Sequence, residues 1–223
     1  MRLKKHLEER IAECGDILLA REGDGFFKLT EEEKRQFQLN LTDIFGNDHP
    51  VCLEIGCGKG AWATQSATLH PDVNYVALEK LSNVIVVACE QACSLKVQNL
   101  RFLNIRAENL DSFLPLHSVD EIALNFSCPF PKKTYANRRL TSKYFLDIYK
   151  RLLKENGIIC QKTDDKDFFD WSIESYKENG YEVYDVCYDL PENASGNVVT
   201  EYESKFRALG KPIYALKAKV NKN

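Results

Sequence analysis

The sequence lacks several features that would assign a protein to a familiar class at once. No apolar run is long enough to span a membrane, and Met1 to Arg10 is charged and without the apolar stretch of a secretory signal. No Cys-x-x-Cys pair occurs among the eight cysteines. Cys89 and Cys93 lie four residues apart, but no second pair completes a zinc site. We therefore expect reduced thiols, no bound metal, no membrane span and a cytoplasmic location.

An excess of positive charge is also missing. Lys and Arg number 30 against 33 Asp and Glu, and the formal net charge is −3. Proteins that bind nucleic acids are often basic overall, so contact with a nucleic acid would have to rest on a local basic patch. The 44% hydrophobic and 28% charged residues are ordinary for a globular protein. A chain of 223 residues suits one α/β domain with a modest extension.

Short apolar runs alternate with longer amphipathic stretches after the turn signal at residues 47–50. The runs are Val51–Ile55, Asn74–Leu78, Leu100–Ile105, Asp120–Phe126, Gly157–Lys162, Tyr181–Tyr188 and Ile213–Ala218. Helical patterns lie near 60–70, 81–96 and 140–154, which favours crossover units and a mainly parallel sheet. A loop between the last two runs would make them an antiparallel pair. We predict a seven-stranded mixed sheet with helices on both faces and the last strand antiparallel. Residues 1–47 are predicted to form a helical extension, and residues 48–223 the α/β domain.

A glycine-rich turn ends the first predicted strand of this domain. Glu54, Gly56, Gly58 and Gly60 stand at alternate positions, where glycine permits a tight turn and close approach of a ligand. Counted as Gly-x-Gly-x-x-Gly, the dinucleotide fingerprint would end at Ala61, which it tolerates. The alternating form instead resembles the first motif of S-adenosylmethionine-dependent methyltransferases, in which the acid lies near the amino-acid part of the cofactor. A plain strand-to-helix turn without a ligand is the third possibility.

Glu79 ends the second predicted strand, about 20 residues after the glycines. A carboxylate there can accept both ribose hydroxyls of an adenosine-type cofactor. This role suits a nicotinamide cofactor equally well, although the sequence has no Tyr-x-x-x-Lys pair for hydride transfer. A surface carboxylate in a loop is the alternative.

A compact basic segment follows the fourth predicted strand, between Asn125 and Thr141. Lys132, Lys133, Arg138 and Arg139 form a cationic cluster suited to phosphates, and two prolines restrict the loop. A solvated basic loop is the alternative interpretation.

This segment strongly resembles the signature Asn-Phe-x-Asp-Pro-Trp-Pro-Lys-Lys-x-His-x-Lys-Arg-Arg of bacterial tRNA (guanine-N7-)-methyltransferases. Three other segments agree in order and spacing over roughly residues 40 to 220. They are Glu54 to Gly60 with Glu79, Lys162 to Asp164, and Thr200 to Phe206 followed by Gly210 to Tyr214. Several motifs in register are far more specific than one alone.

The resemblance implies a class I, Rossmann-like fold and methyl transfer from S-adenosylmethionine to guanine N7 at position 46 of the tRNA variable loop. It implies cofactor contacts at Glu54, Gly56, Gly58, Gly60, Glu79, Arg106, Ala107 and Cys128. It implies substrate contacts at Lys132, Arg138, Asp164, Thr200 and Glu203, with the catalytic position at Cys128. Basic residues near the N-terminus, Arg2, Lys4 and Lys5, resemble family residues that touch tRNA. Both a monomer and a homodimer are compatible with the sequence.

The chain also departs from the family pattern. Cys128 replaces the Asp of Asp-Pro-Trp-Pro, Phe130 its Trp, Tyr135 the His and Asn137 the Lys. Arg106 occupies the position of an Asp that reads the cofactor's adenine. A diverged member that binds cofactor or RNA but methylates another target, or none, is therefore the alternative.

Some of these positions have structural alternatives. Asp164 could cap the helix that is predicted to follow it. Phe130 and Tyr135 could stack on a base, or Phe130 could simply pack the loop. With Arg106 in place of the Asp, Glu108 or backbone N–H groups are candidates for reading adenine.

Overall fold

The computed structural model describes residues 6–23 and 25–221. Within these ranges the strands are β1 (Leu18–Arg21), β2 (Val51–Ile55), β3 (Asn74–Leu78), β4 (Leu100–Asn104), β5 (Val119–Asn125), β6 (Leu153–Thr163), β7 (Tyr181–Cys187) and β8 (Tyr214–Val220). The α-helices are α1 (Leu7–Glu13), α2 (Glu31–Arg35), α3 (Leu41–Phe45), α4 (Ala61–Leu69), α5 (Ser82–Ser94), α6 (Leu110–Phe113), α7 (Lys143–Leu152), α8 (Lys166–Glu178) and α9 (Glu201–Ala208). Arg2, Lys4 and Lys5 lie outside the described residues.

All strands pair in one sheet of order β1-β4-β3-β2-β5-β6-β8-β7. Neighbours are parallel except around β8, which runs antiparallel to β6 and β7. The predicted α/β, Rossmann-like mixed sheet with an antiparallel last strand is therefore confirmed. The order of the strands reverses at β2, which lies between β3 and β5, and ligands of such sheets bind at this point, outside the carboxyl ends of the strands.

The central strands are largely apolar because both faces of the sheet are covered. Every residue of β2 is buried. On one face Leu53 belongs to a core that includes Phe145 of α7 and Phe169 of α8. On the other face Cys52 belongs to a core that includes Ile85 of α5. Burial on both faces explains why these strands show continuous apolar runs rather than alternation.

The number of strands differs from the prediction, because β1 makes the sheet eight-stranded rather than seven-stranded. This strand comes from the segment expected to be helical and pairs in parallel with β4 at the sheet edge. Four residues are too few to show the alternation that identifies a strand. On α1, Arg10 forms two hydrogen bonds of 2.6 Å with Glu90 of α5. The residues before 48 are thus attached to the α/β layers by a strand and a helix.

The connection between β7 and β8 also differs, because it contains α9 and is not only a loop. Thr200 caps this helix by accepting a hydrogen bond from the Glu203 backbone N–H at 2.9 Å. The buried residue of α9 is Glu203 rather than a large hydrophobic one. The helix therefore lacks the apolar stripe by which a sequence usually reveals a helix.

Candidate functional site

A cavity of about 630 Å³ lies at the carboxyl ends of the central strands. Its lining includes residues from the loops after β2, β3, β4 and β5, together with the start of α9. Nine of the predicted site residues line it: Glu54, Gly56, Gly58, Glu79, Arg106, Ala107, Cys128, Arg138 and Thr200. Gly60, Lys132, Asp164 and Glu203 do not.

The glycines of this turn serve two purposes, since two of them leave space for a ligand and one allows close helix packing. Gly56 and Gly58 have φ angles of 84° and 58°, and a methyl group built on either would meet no atom within 4 Å. Backbone can therefore approach a ligand closely at these two positions. Gly60 has φ 76°, and a Cβ there would lie 2.7 Å from the Cβ of Ala88. Gly60 is required for the packing of α4 on α5.

Glu54 is buried at the floor of the cavity. Its Oε1 accepts a hydrogen bond of 3.0 Å from Asn125, whereas the buried Oε2 has no partner. Burial raises the pKa of Glu54 to about 7, although Asn125 and the Lys162 ammonium oppose the shift. A buried carboxylate oxygen without a partner costs free energy, so the site favours a ligand that brings a cationic donor.

The opposite part of the cavity, after β3 and β4, is lined by Glu79, Arg106, Ala107 and Glu108. One oxygen of Glu79 accepts from the Leu81 backbone N–H at 2.9 Å. The Arg106 side chain is exposed, and its backbone N–H donates to Glu22 at 2.9 Å. Sequence reasoning missed Glu22, because β1 was not predicted and only the sheet brings these residues together. Glu108 is the exposed acid of this part of the lining.

The loop after β5 is held in an unusual backbone conformation. Phe126 and Phe130 have φ angles of 50° and 41°, in the left-handed region that large side chains rarely adopt. Arg139 stabilises the loop by donating to the carbonyls of Pro129 at 2.9 Å and Phe130 at 3.2 Å, with its guanidinium over the Trp171 ring. Arg139 is buried. The prediction that Arg139 belongs to a cationic cluster suited to phosphates is therefore wrong, because its guanidinium is used inside the protein.

The remaining cations of this loop stay on the surface. Lys132, Lys133 and Arg138 are exposed, and the Arg138 guanidinium lies 4.5 Å from the ring centre of Tyr135. Cys128 is exposed and lines the cavity. The loop thus places exposed positive charge beside the cavity mouth, where it can attract phosphates.

Asp164 lies outside the cavity lining. Its carboxylate forms an ion pair of 2.6 Å with Lys211, on the segment after α9. The suggestion that Asp164 caps the following helix is wrong, because Asp165 accepts the hydrogen bond from the Phe168 backbone N–H. The ion pair of Asp164 with Lys211 instead links the end of β6 to the segment leading into β8.

Glu203 is completely buried, and both of its carboxylate oxygens accept hydrogen bonds from other residues of the protein. One oxygen accepts from Lys162 at 2.8 Å, and the other accepts from Asn197 at 2.9 Å and from Arg207. Burial by itself raises the pKa of Glu203, but these hydrogen bonds outweigh it and hold the pKa below its ordinary value. In this arrangement Glu203 positions α9 above β6 and offers no oxygen to the cavity.

Sequence reasoning did not single out two exposed residues of α9, Glu201 and Tyr202, which line the cavity next to Thr200. The Tyr202 ring packs against Phe126 and Phe206, with centroid distances of 6.3 and 6.2 Å. The Thr-x-Tyr-Glu motif contained a signal for Tyr202, whereas Glu201 stands at its variable position. Their role depends on which side of α9 faces the cavity, and only the packing of the helix decides that.

The residues of this cavity fit S-adenosylmethionine. The unpartnered oxygen of Glu54 matches an ammonium group, the open turn at Gly56 and Gly58 allows close approach, and Glu79 is placed for a ribose. No cluster of three or more metal-ligating side chains occurs among the residues that the structure describes. The fold and the cavity together define a class I methyltransferase.

Comparison with known proteins gives the family. The model of a family described as "Putative methyltransferase" matches residues 48–216. A tRNA (guanine-N(7)-)-methyltransferase of Bacillus subtilis is 37% identical over 96% of this chain and 95% of its own length. One from Lachnoclostridium phytofermentans is 41% identical over 79% of this chain and 83% of its own length. The chain belongs to the tRNA (guanine-N7-)-methyltransferase family.

Solved structures agree on the fold. The 16S rRNA methyltransferase KamB has a TM-score of 0.60 and 18% identity, covering 90% of this chain and 94% of its own. A 30S ribosomal A1408 methyltransferase from an uncultured bacterium has a TM-score of 0.58 and 13% identity, covering 86% and 95%. The family removes the nicotinamide alternative that the glycine turn had left open.

Proposed function

We propose that this protein transfers the methyl group of S-adenosylmethionine to N7 of guanine in tRNA, at position 46 of the variable loop. The observation that supports this most directly is one cavity that joins the unpartnered carboxylate of Glu54 to the loop of Cys128 and to Thr200. Relatives named for this activity align over most of the chain. Because tRNA is the substrate, we also propose that the protein works in the cytoplasm.

On the cofactor side, the chain supplies charge and shape. Glu54 would bind the ammonium group, Gly56 and Gly58 would leave space for it, and Glu79 would accept the ribose hydroxyls. The family's adenine-reading Asp is replaced by Arg106, so Glu108 and the backbone of Ala107 are the groups placed to read adenine. The cofactor supplies an electrophilic methyl group on a sulfonium.

On the substrate side, the chain has little proton chemistry to perform. Guanine N7 has an in-plane lone pair and no proton, so no general base is required. Holding two reactants in line contributes about 7–11 kcal/mol to lowering a barrier, and this is the main task of the site. The purine becomes cationic as the methyl arrives, and a cysteine at position 128 would stabilise that charge less than the family's Asp would.

The tRNA backbone is expected to lie along the exposed cations beside the cavity. Lys132, Lys133 and Arg138 follow β5, and Arg138 also lines the cavity. Phosphate contacts of this kind position a nucleic acid without reading its sequence. We propose that Lys132 and Arg138 bind phosphates near the target nucleotide. For Asp164 and Glu203, the ion pairs favour a positioning role over the substrate contact that the resemblance implies.

The experiment is methyl transfer from labelled S-adenosylmethionine to unmodified bulk tRNA, followed by nucleoside digestion and mass spectrometry. We expect 7-methylguanosine, and we expect Cys128→Asp to form it at least about tenfold faster because a charged acceptor contributes about 1.5–3 kcal/mol. Cys128→Ser is the matched control and should behave like the wild type. No methylated nucleoside from wild-type protein that binds the cofactor would contradict the proposal.

The second candidate function is methylation of a different target by a diverged member. Cys128, Arg106 and Tyr135 favour it, because each replaces a residue of the family pattern. The same digest distinguishes the two functions, since a methylated nucleoside other than 7-methylguanosine would establish the second.

A further inference from the structure

The part of the cavity near β5 and α9 has an unusual distribution of carboxylates. The Watson–Crick edge of guanine presents two donors, N1–H and the 2-amino group, which match the two oxygens of one carboxylate. The loop after β5 offers a thiol instead, at Cys128. The Glu203 carboxylate is saturated by Lys162, Asn197 and Arg207, and that of Asp164 is paired with Lys211 outside the lining.

Glu201 is the carboxylate that remains at this end of the cavity. It is exposed, lines the cavity, and makes no side-chain hydrogen bond or ion pair in the part of the chain that the structure describes. Glu79 and Glu108 follow β3 and β4, on the other side of β2, and Glu54 lies buried between the two ends. The position of Glu201 is therefore distinct from that of the carboxylates that suit the cofactor.

The neighbouring residue provides a flat surface for a base. Tyr202 remains 57% exposed although its ring packs against Phe126 and Phe206. Stacking of a base on such a ring contributes about 1–3 kcal/mol and does not depend on which base it is. Discrimination between bases must then come from a polar group beside the ring, and Glu201 directly precedes Tyr202 in the chain.

The backbone position of Glu201 is fixed by the structure beneath it. Thr200 caps α9, and the buried ion pair of Glu203 with Lys162 anchors the first turn to β6, while Arg207 of the same helix pairs with the other oxygen of Glu203. A carboxylate on a rigid element loses less freedom on binding a partner than one on a mobile loop.

We propose that Glu201 is the specificity-determining residue for guanine, accepting hydrogen bonds from N1–H and the 2-amino group in place of the acid that is absent at Cys128. This assignment rests on the proposed function. It names a position that the family pattern leaves variable, the x of Thr-x-Tyr-Glu.

The test compares two tRNA transcripts, one with guanosine and one with inosine at the target position. Inosine keeps N7 and N1–H but lacks the 2-amino group. For the wild type we expect kcat/KM about tenfold higher with guanosine, because a site built to bind a donor rejects the analogue without it. For Glu201→Gln we expect kcat/KM with guanosine to fall by about tenfold or more, so that the ratio of kcat/KM for guanosine to that for inosine approaches one. The affinity for S-adenosylmethionine should be unchanged.

Two further variants control for charge and folding. Glu178→Gln removes the same charge from an exposed residue at the end of α8 and should leave both rates unchanged. Glu201→Asp keeps a carboxylate at the start of α9 and should retain part of the guanosine preference. Thermal melting of all variants checks that α9 remains folded.

The outcomes separate this inference from the proposed function. If the wild type makes 7-methylguanosine but does not discriminate against inosine, or if Glu201→Gln keeps the full preference, the assignment of Glu201 is overturned and the activity stands. If the wild type methylates no guanosine in any tRNA, the proposed function itself is overturned.

Discussion

At the scale of single residues, we expect the ionisation of Glu54 to control how well the cavity binds a cation. Burial raises the pKa of this carboxyl to about 7 from an ordinary value of 4.5. The unliganded protein therefore favours the protonated form, whose contribution to stability is present below pH 4.5 and lost as the pH rises through 7. An ammonium ligand favours the ionised form of Glu54, so the affinity for such a ligand increases as the pH rises.

We predict that affinity for S-adenosylmethionine increases about tenfold between pH 6 and pH 8, in line with the ionised fraction of a group with a pKa near 7. Isothermal titration calorimetry at three pH values measures this. Glu54→Gln keeps the size of the side chain but cannot ionise, so it also controls for titration of the cofactor's own amino group. Equal pH dependence in both proteins would argue against a role for Glu54.

At the scale of secondary structure elements, the glycine turn joins β2 to a helix that packs closely on α5. We predict that Gly60→Ala destabilises the protein by at least about 1 kcal/mol more than Gly210→Ala, because overpacking adds to backbone strain. Both glycines have φ above 70°, but a Cβ would collide with Ala88 at Gly60 and with nothing at Gly210. Urea denaturation gives the two free energies of unfolding. Equal values would mean that strain alone explains the requirement for glycine.

The anchoring of α9 can be tested at Glu203. We predict that Glu203→Gln destabilises the protein by about 3 kcal/mol, since it leaves Lys162 and Arg207 without their buried counter-ion. The matched control is Glu174→Gln, which breaks an exposed ion pair with Lys177 and should cost less than about 1 kcal/mol. Denaturant unfolding at pH 7 measures both.

The pH dependence gives a second readout for Glu203. Because its pKa is lowered in the folded protein, its contribution is present above pH 4.5 and lost as the pH falls through the folded-state value. The variant should therefore lose less stability in acid than the wild type does. A Glu203→Gln protein of full stability but impaired methyl transfer would instead favour direct contact with the substrate.

At the scale of the whole molecule, an acidic chain has to bind a polyanion through a local surface. The net charge is −3, yet Lys132, Lys133 and Arg138 are exposed together beside the cavity. No helix in the described part of the chain is long and apolar enough to cross a membrane. We therefore expect the exposed cations of the loop after β5 to determine how tRNA binding responds to salt.

We predict that Lys132→Ala weakens tRNA binding and reduces the slope of log affinity against log salt concentration by about one. Lys96→Ala is the control. The amino end of α5 follows β3 at the cavity, whereas Lys96 is an exposed lysine just after the opposite, carboxyl end of this helix. Filter binding at several salt concentrations measures both slopes. Equal slopes in the two variants would place the phosphate path elsewhere.

The sequence by itself determined the α/β class and strands β2 to β8, and nine of its thirteen candidate site residues line the cavity. These features depend on local signals: continuous apolar runs for strands buried on both faces, and glycines that permit a turn with positive φ. The antiparallel β8 was also predicted, although the premise of a connection without a helix is wrong, because α9 lies between β7 and β8.

Only the tertiary structure decided which polar residues face the cavity and which hold the protein together. Arg139 and Glu203 belong to matching motifs, yet burial and ion pairs make them internal supports, whereas Glu201 in a variable position faces the cavity. The strand β1 likewise depends on pairing with β4. The physical reason is the same in each case. The role of a charged side chain depends on partners distant in the sequence, and those partners meet only when the layers pack.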